Sequence, residues 1–470
     1  MDSRKEIRGI MTENKKFKHT LFIFKICYLV YLLLAFNAFF NGMAWMNAAS
    51  YVITAAGLVL ILWMLFQYKR YRRAYHLWIL GAFIVSYVIS AVLHLSYGVS
   101  DNVKGLIWLV LPIFLAYIAV FDMSGEEIRR ELKWFSVIYI LYCTAANLVS
   151  LTMVYWGRKL DYTDGTGMVH SIGYRWNRLW GIYDDPNHGA TITVAAIFLL
   201  IYLFYRGRKI WQRAVVILCF VINYLYLVLS DSRTGIVTLT AGVLLAGIAY
   251  VWIKARSGEH RRRVIPALLC TVLAAGVLLA GTYALNEAYQ PIDKKIVSML
   301  TVKKPVKPIS KTNRKTDIQK DYSNGRFEIW KNGLQIVESS PVVGIGYRNI
   351  VGYSKEHFPE GYLMKNSSGI QYDSMHNLEL DVLVSQGILG GILFLLLVGN
   401  TCVVLFKRLH RTASKDTAET VFAVAASGAL FVAGTFLSFI FYVNTPQNLC
   451  FWLFLGYAMR FCQLGEKETV

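Results

Sequence analysis

Long apolar runs separated by short polar intervals set the pattern of this chain. The runs are about 18–25 residues long, enough for an α-helix rising ~1.5 Å per residue to cross a bilayer. They predict twelve spans, at about 20–40, 45–66, 75–97, 105–121, 134–156, 188–205, 214–230, 234–253, 265–284, 383–406, 421–443 and 447–462. The first run, 21–40, is longer than the core of a secretory signal and lacks a small-residue cleavage site, so it reads as a retained span. Only the interval 286–381, between spans nine and ten, is both polar and long. The expected organisation is an all-α polytopic membrane protein in three parts. Residues 1–284 hold spans one to nine, 286–381 form a partly helical loop, and 382–470 hold spans ten to twelve.

Composition narrows the class. Of 470 residues 56% are hydrophobic and 17% charged, with a mean hydropathy of +0.43, too apolar for an ordinary soluble domain. A net charge of +20 would suggest a nucleic-acid partner in a soluble protein, but here the cations follow the loops. Lys and Arg number six in 1–19, four in 67–74, three in 122–133, four in 206–213, five in 254–264 and four in 407–418. The short loops between carry far fewer: none in 41–46, one in 98–104, none in 444–447. Basic loops attract the cytoplasmic side, so both termini are expected there and the nucleic-acid reading falls away. Loop 157–187, the hairpin 230–235 and the interval 286–381 are then extracytoplasmic together. All seven cysteines lie within or at the ends of spans, which leaves the long loop without a disulfide framework or a zinc spacing.

Within the long loop, 302–320 carries seven Lys or Arg and two prolines and reads as a peripheral stretch. Ser323 or Asn324 is placed to cap a helix in which Phe327, Trp330 and Leu334 repeat at helical spacing, with Arg326 in its first turn. That helix is expected to end near Ser340-Pro341, with Gly344 and Gly346 making a turn. His376-Asn377 stands where the chain re-enters the membrane. Asn366-Ser367-Ser368 matches a glycosylation acceptor, a three-residue pattern common by chance.

Candidate chemistry gathers on the expected outer side. Asp185-Pro186-Asn187 reads first as an ordinary helix start, although the exposed amides of a helix N-terminus also hold anions. Arg233 lies in a hairpin a few residues long between two spans, with Ser230 and Ser232 as nearby donors. Its ordinary explanation is a snorkelling interfacial side chain, and its functional one is a two-pronged grip on phosphate. Arg326 and His376 each have a structural explanation of the same kind, as an ion pair and a capping histidine. Their coincidence with Arg178 and Arg233 on one face raises the functional reading: three cations suit a pyrophosphate, and a histidine can take a proton near neutral pH. No Asp or Glu lies in the middle of a predicted span, which argues against an ion-coupled transporter. The first outer loop, 41–46, lacks a carboxylate that could ligate a divalent metal.

The order Arg178…Asp185-Pro186-Asn187, then Ser230-Asp231-Ser232-Arg233-Thr234-Gly235, Arg326…Trp330…Pro341…Gly344-Ile345-Gly346, and His376-Asn377…Gly387…Gly390-Gly391 resembles the bacterial O-antigen ligase/O-antigen polymerase superfamily. The resemblance covers roughly 175–400. It implies a metal-independent, inverting membrane glycosyltransferase of the GT-C type, without a cofactor, in the bacterial cytoplasmic (inner) membrane. Its donor would be a glycan on undecaprenyl pyrophosphate, and its acceptor a hydroxyl of a glycan or lipid. Carried over, Arg233 and Arg326 match the family's pyrophosphate-holding arginines, and His376 matches its loop histidine, as base or acceptor-positioning group. Arg178, Asp185, Asn187, Ser232, Asn377 and Tyr347 are the further residues expected to bind substrate. Family members extend a glycan, attach it to lipid A core or attach it to protein. The absence of an appended outer domain leans toward a polymerase. The rival class is a flippase-like transporter that binds the same pyrophosphate without chemistry. A membrane sensor ranks last, since no cytoplasmic segment is long enough for a signalling domain.

Overall fold

A computed structural model of the chain describes residues 2–158, 160–163, 169–255, 261–301, 323, 325–366, 369 and 371–468. The basic stretch 302–320, the candidate cap Asn324 and Ser367-Ser368 of the glycosylation match lie outside the described residues. Fourteen helices organise the described chain. They are α1 Asp2–Ala35, α2 Ala44–Phe66, α3 Leu77–Leu93, α4 Val99–Pro112, α5 Gly125–Trp156, α6 Pro186–Arg206, α7 Ile210–Ser230, α8 Arg233–Ala255, α9 Arg261–Thr301, α10 Arg326–Ser339, α11 Ile350–His357, α12 Leu378–Arg408, α13 Thr417–Gly434 and α14 Pro446–Glu468. Three short strands, β1 Leu160–Thr163, β2 Val169–Arg175 and β3 Arg178–Gly181, join α5 to α6.

The protein is an all-α polytopic membrane protein in its bundle. Ten helical segments are long and apolar enough to cross a membrane, and they coincide with ten of the twelve predicted spans. Helices also stand at the other two places: α3, of 17 residues, and α14. Helix α14 runs through the middle of the bundle, with Cys450, Trp452, Leu453, Phe454, Tyr457 and Met459 fully buried. A buried ion pair, Lys25 Nζ to Glu131 Oε1 at 2.8 Å, fastens α1 to α5, and the Tyr457 hydroxyl of α14 donates to the same carboxylate oxygen at 2.8 Å. An ion pair out of water is tolerated only when its remaining lone pairs are satisfied in this way.

Several boundaries differ from the hydropathy pattern, each for a local reason. Helix α5 starts at Gly125 instead of about 134 because Ser124 and Glu127 form a capping box that carries the helix through polar residues. Helix α9 runs on past 284 to Thr301, so the first part of the long loop is helical. This extension is braced where Arg158 Nη2 meets Asp293 Oδ1 at 2.6 Å and the Tyr289 and Tyr174 rings meet edge to face. The 157–187 loop is partly an antiparallel sheet of order β1-β2-β3, with a bulge between Gly173 and Tyr174. In α10 the buried residues are Ile329, Asn332, Gly333 and Ile336, while Phe327 and Leu334 are exposed, and Gly325 at φ 79° precedes the helix without a side-chain cap. Helix α13 stops at Gly434, and 435–445 continue as buried irregular chain.

Backbone without regular structure inside an apolar bundle must find partners for its amides and carbonyls. Two places show how this is done. Helix α12 is broken at Gly387 (φ 60°, ψ −159°), and the segment 341–346 lies in the break. Ile345 and Gly346 N–H donate to the carbonyls of Val384 and Ser385 at 2.9 and 2.8 Å, while Ile388 and Leu389 N–H donate to Pro341 and Val342 at 2.8 and 3.1 Å. Four bonds therefore replace those the break removes. The irregular 435–445 is held by side chains: Asn377 Nδ2 reaches Thr435 O, Trp452 Nε1 reaches Ile440 O, Arg348 Nη2 reaches Tyr442 O and Asn448 Nδ2 reaches Val443 O.

Gly344 and Gly387 face one another across the break. A methyl at Gly344 would sit 2.5 Å from Gln386 N, and one at Gly387 2.4 Å from Val342 C, with both residues at positive φ. Backbone cannot yield as a side chain can, so Gly344→Ala or Gly387→Ala should each lower stability by at least about 2 kcal/mol. Thermal unfolding of the purified protein in detergent measures this. Gly276→Ala, with no atom within 4 Å of the new methyl, should leave the midpoint unchanged or raise it.

Candidate functional site

One end of the bundle collects the N-terminus of α6, the α7–α8 hairpin, the N-terminus of α10 and the chain before α12. Asp185 adopts an extended conformation (φ −136°, ψ 123°) and caps α6, its Oδ1 accepting from Asn187 N at 2.5 Å and His188 N at 3.1 Å. Pro186 at the first helical position lacks the amide that would otherwise compete. Asn187 Oδ1 accepts from Arg178 Nη2 at 3.0 Å and from Ser232 Oγ at 2.9 Å. Arg178 Nε donates to Ser230 O at 2.9 Å, and Ser232 Oγ accepts from Gly235 N at 3.1 Å. Arg178, Asn187 and Ser232 thus tie β3, α6 and the hairpin into one floor, from which Arg233 begins α8.

The opposite wall is α10 and the chain before α12. Arg326 opens α10, with its guanidinium carbon 5.9 Å from the Phe436 ring centroid of the irregular segment. One turn on, Trp330 Nε1 donates to Met375 O at 3.0 Å. The amide of the same residue, Met375 N, donates to Asp381 Oδ1 at 2.8 Å, and Ser438 Oγ donates to Asp381 Oδ2. Met375 is therefore gripped on both sides, and the next residue, His376, is held at φ 48°, a left-handed conformation a non-glycine residue rarely keeps without such support. The Tyr372 ring meets the imidazole edge-on at 5.9 Å. Asn377 caps α12 through Leu380 N at 2.7 Å.

The two walls meet electrostatically. Burial lowers the pKa of Arg326, the like charge of Arg233 lowers it further, and Asp185 opposes both. The pKa of His376 also lies below the ordinary histidine value, first through burial; Asp185 and Asp373 raise it, while Arg326 and His188 lower it. Burial thus disfavours the charged imidazole beside Arg326, while Asp185 acts on both Arg326 and His376. Two like charges brought together out of bulk water strain the protein and favour an anion that both can hold.

The structure brings Asp185, Arg233, Arg326 and His376 into one cluster. Arg178, Asn187, Ser232 and Asn377 border it with their side chains engaged in the bonds above. Tyr347 lies beneath it: 3% exposed and stacked on Tyr442 at 4.9 Å, it belongs to the aromatic core under the His376 segment. His188 is a neighbour the sequence reading passed over. It is the first-turn residue that follows Asp-Pro-Asn, its Nδ1 lies 3.3 Å from Gln447 Nε2, and its ring packs 5.8 Å from that of Phe36. A histidine one place beyond a helix-start motif was the available signal. Asp381, which holds Met375 together with Trp330, carried no comparable signal.

Fold and site define a polytopic membrane protein with a cationic, histidine-bearing cluster at one end of its bundle. Residues 218–395 match the family model described as O-antigen ligase, a range that takes in Arg233, Arg326 and His376. The chain is also 27% identical over 116 residues to the exopolysaccharide production protein ExoQ of Rhizobium meliloti (strain 1021). That match covers 24% of this chain and 25% of the relative, so the chain spans about a quarter of the curated protein it matches. These findings support a likeness to the O-antigen ligase/polymerase family.

Asp185→Asn provides a test of the cluster that needs no assay of activity. Asparagine caps a helix as well as aspartate, so α6 should persist. The charge that most raises the His376 pKa would be lost, and the imidazole should titrate at still lower pH. NMR of histidine-labelled protein, assigned with His376→Gln, reads the shift; movement toward higher pH would contradict the arrangement.

Proposed function

We propose that the protein transfers a glycan from undecaprenyl pyrophosphate to an acceptor hydroxyl at the outer face of the cytoplasmic membrane. The observation that carries this reading is that Arg233, at the start of α8, acts electrostatically on Arg326, at the start of α10, beside a His376 whose charged form burial disfavours. The alternation of basic loops supports an extracytoplasmic position for this end of the bundle.

In this reading Arg233 and Arg326 hold the pyrophosphate two-pronged. The acceptor oxygen attacks the anomeric carbon from the face opposite the leaving group, so the configuration inverts. The new C–O bond forms as the bond from the anomeric carbon to the phosphate oxygen breaks. The electron pair leaves with the lipid pyrophosphate, whose growing negative charge the arginines already face. The acceptor proton passes to His376, which must be neutral to take it. Asp185 keeps the two arginines from overcharging the empty site and helps orient His376. Of the family's activities, extension of a polysaccharide chain is the one we favour; the ExoQ relative is described as an exopolysaccharide production protein.

Purified protein in detergent, given lipid-linked glycan extracted from a strain lacking the gene, tests the proposal. Product should form where transport has no meaning, which separates a transferase from a flippase-like carrier. Arg233→Ala and Arg326→Ala should each reduce turnover on the order of 10²–10³. Normal rates in either variant would sink the assignment.

The pH profile is a second check. Because the His376 pKa is lowered, the base stays deprotonated at pH 6.5, the ordinary histidine value, and activity should be lost only as pH falls below it. His376→Gln should abolish that limb and lower turnover by roughly 10²–10⁴.

A further inference from the structure

The three-stranded sheet beside the cluster has two unlike faces. Ile172, Tyr174 and Leu179 are buried against the helices. The other face carries Asp161, Ser171, Arg175, Trp176 and Trp180. Arg175 Nη1 pairs with Asp161 Oδ1 at 2.7 Å, and Ser171 Oγ donates to the same oxygen at 3.3 Å. The guanidinium carbon of Arg175 lies 4.8 Å from the Trp176 ring centroid and 5.9 Å from that of Trp180, and the two indoles are 5.3 Å apart.

Three observations mark this face as built for a ligand. Trp176 and Asn177 form the two-residue turn between β2 and β3 at φ 50° and 56°. Asparagine tolerates that conformation, but a tryptophan there is strained, and the turn holds its ring 59% exposed. Trp180 Nε1 and Arg175 Nε are shielded from solvent and have no hydrogen-bond partner among the described residues, although buried donors are nearly always paired. Finally, the Asp161–Arg175 pair shares the face, with Asp161 48% exposed, which places these rings toward water instead of acyl chains.

The exposed indole face of Trp176 beside the half-exposed Asp161 carboxylate matches a sugar ring, which has an apolar C–H face and a rim of hydroxyls. The sheet is also in the right place. Strand β3 begins at Arg178, which joins the floor of the cluster, and Trp180 is two residues further on, about 7 Å along the strand. We propose that the face formed by Asp161, Ser171, Arg175, Trp176 and Trp180 is a glycan subsite that binds sugar rings beyond the one at the reacting carbon. This rests on the transferase reading for its purpose, but not for its chemistry.

The test separates the two. The probe is the lipid-free oligosaccharide released by mild acid from the extracted donor, and binding to the full-length protein is followed by tryptophan fluorescence. Trp176→Ala should weaken binding about three- to tenfold, with Trp176→Tyr intermediate and the thermal midpoint of both near that of the parent. In transfer assays the same variants should raise KM by a similar factor with kcat nearly unchanged. A rise in KM for the lipid-linked donor assigns the subsite to the donor glycan; a rise in KM for added acceptor assigns it to the acceptor. Equal binding and equal KM in parent and variants would overturn the proposal and leave the tryptophans as interfacial anchors. Oligosaccharide binding through Trp176 by a parent protein that transfers nothing would uphold the subsite while defeating the transferase reading.

Discussion

Every unpaired amide or carbonyl inside an apolar bundle costs several kcal/mol, and this constraint governs how the cluster can be built. A site formed by helices alone would be limited to side chains on smooth cylinders. Here α12 is interrupted at Gly387, and 341–346 fills the interruption with four backbone bonds. That exchange anchors the C-terminal side of α10 to α12, and so fixes the distance between Arg326 at the start of one and His376 at the start of the other. The buried chain 435–445 closes the same end through side-chain bonds to its carbonyls, and supplies Phe436 under Arg326 and Ser438 on Asp381.

The charge arrangement depends on that scaffold. Arg233 disfavours the charged form of Arg326, and Asp185 opposes that effect. The scaffold keeps the two guanidiniums on neighbouring elements, and perturbed charges of this kind cluster at functional sites. The grip on Met375 serves the same end. Trp330 comes from the helix that Arg326 opens and Asp381 from the helix that follows His376, so the arginine and the histidine are positioned through one shared peptide.

Hydropathy made the bundle legible because crossing a bilayer leaves few alternatives to a run of apolar residues. The same criterion misjudged ends: Glu131 and Asp293 are charged yet buried in helices, paired with Lys25 and Arg158, partners distant in sequence. The strands of 160–181 were illegible for a related reason, being short and stabilised by contact with α5 and the extension of α9. At the site, Arg233, Arg326 and His376 could be read from their place in outer loops, and Asp185 from its capping pattern. The Trp330–Met375–Asp381 contacts could not, since they follow from which loops meet, and no single stretch records that. Gly344 and Gly387 were visible as glycines, but their reciprocal fit requires both segments at once.

The four bonds at the α12 break also close the root of a large excursion. The chain leaves at Gly346, runs through α11 and the residues before His376, and returns at Val384. Chain inserted between closed ends costs little, about 0.6 kcal/mol for each doubling of length. The chain between α11 and Tyr372 is itself tied to α10, since Leu363 is buried and its N–H donates to Asn332 Oδ1 at 3.0 Å, so the part of the excursion next to Arg326 is fixed along with its root.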